Sequence, residues 1–245
     1  MVGDRRQAKQ VRVLISPGAG VVGQRATLDE GERHHLRVRR ARDGEQVELL
    51  DGAGLVATGR LVRDGADWSA EVEWVDHRVR SPELTLAVAA GDRERFSWMV
   101  EKSVELGVTI VVPLESARTR DVGTRLRESH FPKLRRLALE STKQCGAAWV
   151  PSIEHPVPLE DFLGRPVTGS VWVADADGML PPATLDRAPV TVIIGPEGGF
   201  AVEERSAIAA AGYVPVALAP HILRFETAAL AAAAVVETAR MRGRK

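Results

Sequence analysis

The sequence predicts an α/β protein of two parts: a small, mostly β, barrel-like domain over residues 1–80 and a larger domain with a mostly parallel sheet over residues 81–245. Three observations carry this. Residues 11–79 break into short β-rich runs separated by Asp-Gly turn signals. After Pro82 the pattern changes to apolar runs alternating with stretches of helical spacing, as in a parallel sheet with crossover helices. Three of the later runs open into loops of unusual content, where ligands gather beyond the carboxyl ends of strands.

In chain order, VRVLI (11–15), QVELLDG (46–52), VATGRLV (56–62) and WSAEVEWV (68–75) read as strands, with turns at Asp43-Gly44, Asp51-Gly52 and Asp64-Gly65. SPEL (81–84) reads as a hinge. LTLAVAA (84–90) reads as a buried strand, Arg93–Leu106 as a helix closed by Gly107, and VTIVVPL (108–114) as the next strand. His130–Gly146 has helical spacing with Pro132 in its first turn. VWVAD (171–175), VTVIIG (190–195) and YVPVALA (213–219) read as three more strands, with a short helix Val202–Ala211 before Gly212 and an alanine-rich final helix Glu226–Met241.

Composition narrows the function classes. Of 245 residues, 33 are Lys or Arg and 33 Asp or Glu, so the formal net charge is zero. The charge is nevertheless local: Arg33–Arg42 holds five arginines and no acid, and Ser116–Arg136 is also basic. Such patches fit docking on nucleic acid at chosen faces, or an arginine-rich solvated surface. No apolar run approaches the roughly 20 residues that span a bilayer. The N-terminus lacks the apolar core of a signal peptide, and Cys145 has no cysteine to pair with, so a cytoplasmic location without membrane contact is expected. With one cysteine and no His-Glu-x-x-His motif, no metal site is expected. Ser141 and Ser206 lack the Gly-x-Ser-x-Gly turn of a serine hydrolase. Cys145 and Trp98 read as packing residues.

The three loops are Ala174-Asp175-Ala176-Asp177-Gly178, Gly195–Gly199 and Ala219–Arg224. The middle one, inside VIIGPEGGF (192–200), is neither Gly-x-Gly-x-x-Gly nor a Walker loop, and Glu197 would repel a pyrophosphate. It suits a ligand without phosphate that carries positive charge, such as S-adenosylmethionine. The alternative is a tight strand-to-helix turn with Pro196-Glu197 at the helix start, where an acid suits the macrodipole. Glu226 and Thr227 have the same helix-start alternative. Arg224, among apolar neighbours, must point into a cleft or pair with an acid, for which Glu197 and Glu226 are candidates.

These residues resemble the RsmE family of ribosomal RNA methyltransferases, of the wider SPOUT class. The resemblance rests on IGPEGGF (194–200) with LAPHILRFETA (218–228), and on EKSVELGV (101–108), ESTKQCGAAWVP (140–151) and GERHHLRVRRARDGEQVELLDGAG (31–54). It implies a C-terminal trefoil-knotted domain that binds S-adenosyl-L-methionine, an N-terminal PUA-like barrel that binds RNA, and a homodimer packed through the knotted domains. It implies methylation of N3 of a uridine in 16S ribosomal RNA, with the rRNA or the small ribosomal subunit as partner. Another SPOUT activity, such as transfer RNA ribose 2′-O-methylation, or a non-catalytic RNA-binding protein, are the alternatives. This chain departs from the family pattern at Ala147, Lys143, His221 and Phe225, and keeps only Arg118 of a Ser/Thr-Glu-Arg segment.

Carried onto this chain, the resemblance implies cofactor contacts from Ala174, Asp175, Ile194, Gly195, Glu197, Gly198, Gly199, Leu218, His221, Ile222, Leu223 and Thr227. Arg224 would polarise a uracil oxygen, and Glu197 or Glu226 would take the N3 proton. Arg12, Arg33, His34, Arg37, Arg39, Arg40 and Arg118 would contact RNA.

Overall fold

The computed structural model describes residues 11–65, 67–89, 91–119 and 122–243, so the basic N-terminal decapeptide lies outside the described residues. The chain divides into two compact units, one of residues up to Arg80 with Thr142–Val150, the other of Ser81–Ser141 with Pro151 onward. Residues 142–150 fall inside the stretch that the sequence assigns to the second domain, yet pack into the first unit. Arg12 donates to the Gln144 carbonyl at 2.6 Å, Lys143 Nζ meets Glu32 Oε1 at 2.7 Å, and Trp149 Nε1 donates to the Arg78 carbonyl at 2.9 Å.

The first unit holds β1 (Val11–Leu14), β2 (Arg25–Thr27), α1 (Glu30–Val38), β3 (Gln46–Leu50), β4 (Leu55–Asp64) and β5 (Asp67–His77). They form one five-stranded sheet in the order β1-β3-β4-β5-β2, antiparallel except for the β1–β3 pair. Alternating inward residues, among them Val47, Leu49, Ala57, Leu61, Ala70 and Val72, build its core. Around Gly59 the β4–β5 register slips by one residue, and a β-carbon there would stand 2.3 Å from the Glu71 carbonyl oxygen. The basic stretch 31–40 is a helix for most of its length, not part of a strand. Asp29 caps it by accepting from the Glu32 N–H, Glu30 and Glu32 suit its first turn, and Leu36 anchors it in the core.

The second unit holds β6 (Leu84–Val88), α2 (Arg93–Glu105), β7 (Ile110–Glu115), most of α3 (Phe131–Cys145), β8 (Ser152–Ile153), β9 (Val157–Pro158), α4 (Leu159–Leu163), β10 (Ser170–Met179), β11 (Val190–Ile194), α5 (Val202–Ala210), β12 (Val214–Val216) and α6 (Phe225–Gly243). All strand pairs are parallel, in the order β12-β10-β11-β6-β7-β8, with β9 beside β8 on the free edge of β7. Every residue of β6 and β11 is buried, which explains their continuous apolar sequence: helices cover both faces of a parallel sheet. The last helix runs back along the sheet. Its Arg240 is 2% exposed and donates to the carbonyls of Pro82, Glu83 and Ala188, while pairing with Glu237 at 2.8 Å. That clamp fixes the far end of α6 at the amino edge of the sheet and leaves its first turn at the carboxyl edge, among the loops. No helix among the described residues is long and apolar enough to cross a membrane.

Candidate functional site

The loops after β10, β11 and β12 converge on one cavity of about 510 Å³. Each loop has its own device. In β10, Ala174 pairs with Val216, residues 175–178 swing outward, and Met179 returns to the same partner. Gly178 permits the return, since a β-carbon there would sit 2.5 Å from the Val216 nitrogen. After β11, Pro196–Gly199 forms a turn closed by the Gly199 N–H donating to the Pro196 carbonyl at 2.8 Å, with Gly199 at φ +72°. After β12, Ala217 N–H donates to the Met179 carbonyl at 2.8 Å, so the third loop is tied to the first.

Ala174, Asp175, Ile194, Gly195, Glu197, Gly198 and Gly199 all line this cavity, as do Leu218, His221, Ile222 and Leu223. Thr227, Arg224 and Glu226 stand outside the lining. Thr227 and Arg224 are exposed; Arg224 has no side-chain partner among the described residues. Glu226 is 8% exposed in the first turn of α6, and its Oε2 has no hydrogen-bond partner among the described residues. The helix-start alternative for Glu197 does not hold: α5 begins at Val202, so Glu197 belongs to the turn itself. Its carboxylate lies 3.7 Å from Arg95 of α2.

One wall was not legible from the loops. Phe200 just past the glycine turn, Arg205 and Ile208 of α5, and Tyr213 just before β12 also line the cavity. The one signal for them is the spacing of Arg205, Ile208 and Ala209, which shares a helix face directly after the glycine loop. Phe200 packs over Gly195, where a β-carbon would meet its ring at 3.0 Å. Burial pushes the Tyr213 hydroxyl above its ordinary pKa. Among the described residues no group of three or more His, Cys, Asp or Glu could hold a metal ion.

A second arginine reaches the glycine turn from outside. Ser116 and Thr119 close a tight turn after β7, with the Ser116 N–H donating to Thr119 Oγ1 at 3.0 Å, and Glu204 of α5 accepts from the Ala117 N–H at 2.7 Å. This turn lays Arg118 over Gly198, and Arg118 is exposed.

The basic residues of the first unit separate into two groups. Arg12 is held by Glu48 at 2.6 Å and by the Gln144 carbonyl. Arg33 pairs with Glu30 at 3.0 Å and Asp67 at 3.3 Å, Arg37 with Glu30, and Arg39 with Glu45 at 2.6 Å. His34 and Arg40 are exposed and have no side-chain partner among the described residues. Arg40 takes φ +57°, the one left-handed non-glycine residue described, which turns the chain out of α1.

Comparison with known proteins agrees with this architecture. An RNA methyltransferase domain family matches residues 79–237, and an RNA methyltransferase PUA domain family matches residues 28–73. The chain is 27% identical to the ribosomal RNA small subunit methyltransferase E of Aquifex aeolicus over 87% of its own length and 94% of the relative's. With the protein of that name from Synechocystis it shares 28% identity over 92% of its length and 76% of the relative's. The crystal structure of the Neisseria gonorrhoeae protein of that name, bound to S-adenosyl methionine, superposes with a TM-score of 0.83 at 28% identity, covering 94% of this chain and 98% of that one. Because the first of these family models spans more than half of the sequence and covers all three loops of the cavity, the chain belongs to the RNA methyltransferase domain family.

Proposed function

We propose that this chain transfers a methyl group from S-adenosyl-L-methionine to N3 of a uridine in small-subunit ribosomal RNA. The observation that carries the reading is the cavity: three strand-end loops enclose a space walled by backbone and apolar side chains, with two carboxylates, one arginine and no lysine. Its chemistry fits a nucleoside joined to a cationic, phosphate-free tail. Backbone of Gly195, Gly198, Gly199, Leu218 and Leu223 would hold adenosine and methionine, with Ala174, Ile194 and Ile222 as apolar walls. The cofactor, when bound, supplies an electrophilic methyl on a sulfonium.

The chain's own residues then position the acceptor and move one proton. N3 lies on the Watson–Crick edge, so the uridine has to enter the pocket unpaired. Arg224, exposed and next to the lining residue Leu223, is the group to polarise a uracil oxygen and acidify N3–H. Glu197 is favoured over Glu226 as the proton acceptor, because Glu197 lines the cavity and Glu226 does not. Two exposed side chains of the first unit, His34 and Arg40, would hold RNA backbone. A trefoil knot, a homodimer through the second unit and a cytoplasmic location belong to the same reading; sedimentation of the purified protein measures the assembly.

The test uses small subunits from a strain lacking this protein. Incubation with protein and S-adenosylmethionine followed by primer extension gives a new stop at the methylated base, because an N3-methyl blocks pairing; no stop and no methyl transfer to the subunit would reject the activity. Arg224→Ala, with cofactor affinity and turnover measured separately, should lose turnover and keep affinity. Unchanged turnover removes Arg224 from the mechanism.

A further inference from the structure

The cavity wall carries three side chains of full charge, Asp175, Glu197 and Arg205. Arg205 is exposed on α5 and its guanidinium has no partner among the described residues. Glu197 has Arg95 nearby, and Asp175 Oδ1 accepts from the Asp177 N–H at 3.0 Å. On the same wall, just beyond the Gly212 that ends the α5 turn, stands Tyr213. It is 4% exposed, and its phenol oxygen is buried without a hydrogen-bond partner among the described residues. A buried hydroxyl left unpaired is costly, and Tyr213 is both a member of the core cluster under α5 and a residue of the cavity wall. Burial raises the phenol's pKa, so it remains a neutral O–H donor at physiological pH.

S-adenosylmethionine carries two positive groups, sulfonium and ammonium, and one negative group, the carboxylate. The wall carries the mirror image: two carboxylates and one guanidinium. We propose, resting on the reading of this cavity as the S-adenosylmethionine site, that Arg205 and Tyr213 form the subsite for the carboxylate of the methionine tail. Arg205 supplies a charge-assisted donor fork and Tyr213 a neutral O–H, both directed at one anion. Asp175 then faces the ammonium, and Glu197 lies on the sulfonium side, where the uridine N3 also enters. The arrangement selects a ligand with an intact amino-acid tail over a bare thioadenosine.

Calorimetry with three ligands tests this: S-adenosylmethionine, its decarboxylated form, which keeps both cations, and 5′-methylthioadenosine, which lacks the whole tail. Arg205→Gln is expected to weaken S-adenosylmethionine about tenfold and to leave the other two ligands unchanged. Tyr213→Phe should weaken S-adenosylmethionine about threefold with the same selectivity and no fall in thermal stability. Equal losses for all three ligands, or no loss for any, would overturn the subsite. Wild-type protein that binds none of them overturns the cofactor reading itself, a result distinct from wild-type binding that the two substitutions fail to alter.

Discussion

Arg118 lies across Gly198: its Cδ stands 3.1 Å, and its Nη1 3.3 Å, from the place a β-carbon at residue 198 would occupy. The glycine there makes room for an arginine that arrives from another strand end. Gly198→Ala is therefore expected to fold, because the group it meets is a flexible side chain, and to displace Arg118 from the loop. Gly199→Ala differs in kind. At φ +72° a β-carbon costs about 1 kcal/mol or more, so it should lower the unfolding midpoint. Thermal unfolding beside cofactor titration separates the two: Gly198→Ala retains stability with altered affinity, Gly199→Ala loses stability.

Arg240 joins three carbonyls from two separate segments to α6 while itself shut off from water. Arg240→Met keeps the apolar stem and leaves the Pro82, Glu83 and Ala188 oxygens without this donor. We expect destabilisation of about 3 kcal/mol or more, read from urea unfolding. Arg240→Lys should recover only part of it, since one ammonium cannot reproduce the planar fork. Because the clamp is at the end of α6 away from the loops, the residual folded protein should bind cofactor with unchanged affinity.

How much of this was readable in the sequence depends on how local each cause is. The strands β6 and β11 and the helices α2, α5 and α6 follow from apolar runs, helical spacing and glycine stops, and they appear within a few residues of their expected bounds. Helix α1 was hidden by its own composition: nine residues with two glutamates, two arginines and two histidines show little apolar period, and one leucine, Leu36, anchors it. The short β2, β8 and β9 exist only because a neighbouring strand offers an edge, a non-local cause. The site divides in the same way. Residues on the three loops were legible because loop content is unusual there; the α5–β12 wall, including Arg205 and Tyr213, depends on how the helix packs. The charges of the first unit were legible as a patch, but which of them are already paired was not, because Glu30, Glu45 and Glu48 reach them through the fold.

Those pairs set an acid limb for stability. Hydrogen bonding from Arg37, then its charge, holds the Glu30 carboxyl below its ordinary value of 4.5. Hydrogen bonding from Arg39, aided by the Arg42 N–H, does the same for Glu45. A carboxyl whose pKa is lower folded than unfolded binds fewer protons in the folded state, so its contribution is complete above the ordinary glutamate range and is lost as pH falls through the folded values. Both groups are well solvated, so the effect is modest. Glu30→Gln with Glu45→Gln should lower the unfolding midpoint modestly near pH 7, where both pairs contribute in full, and flatten its fall below about pH 4.5, so that variant and wild type converge in acid. An identical acid limb in the double variant would remove these pairs from the account.

The division between paired and unpaired cations makes opposite demands of Arg40 and Arg12. Arg40 is exposed and unpaired among the described residues, and Arg12 is fixed by Glu48 and by backbone carbonyls of residues 143 and 144. Arg40→Asn removes the charge while keeping a residue that tolerates the left-handed backbone. It should weaken ribosomal RNA binding at low salt and reduce the slope of log affinity against log salt by about one phosphate contact, with an unchanged unfolding midpoint. Arg12→Gln should do the reverse: it frees Glu48 and loosens residues 142–150 from the first unit, lowering the midpoint while the salt slope stays as in the wild type. If Arg12→Gln alone flattened the slope, the arginine would be reaching phosphate despite its partners, and the separation into structural and RNA-facing cations would have to be redrawn.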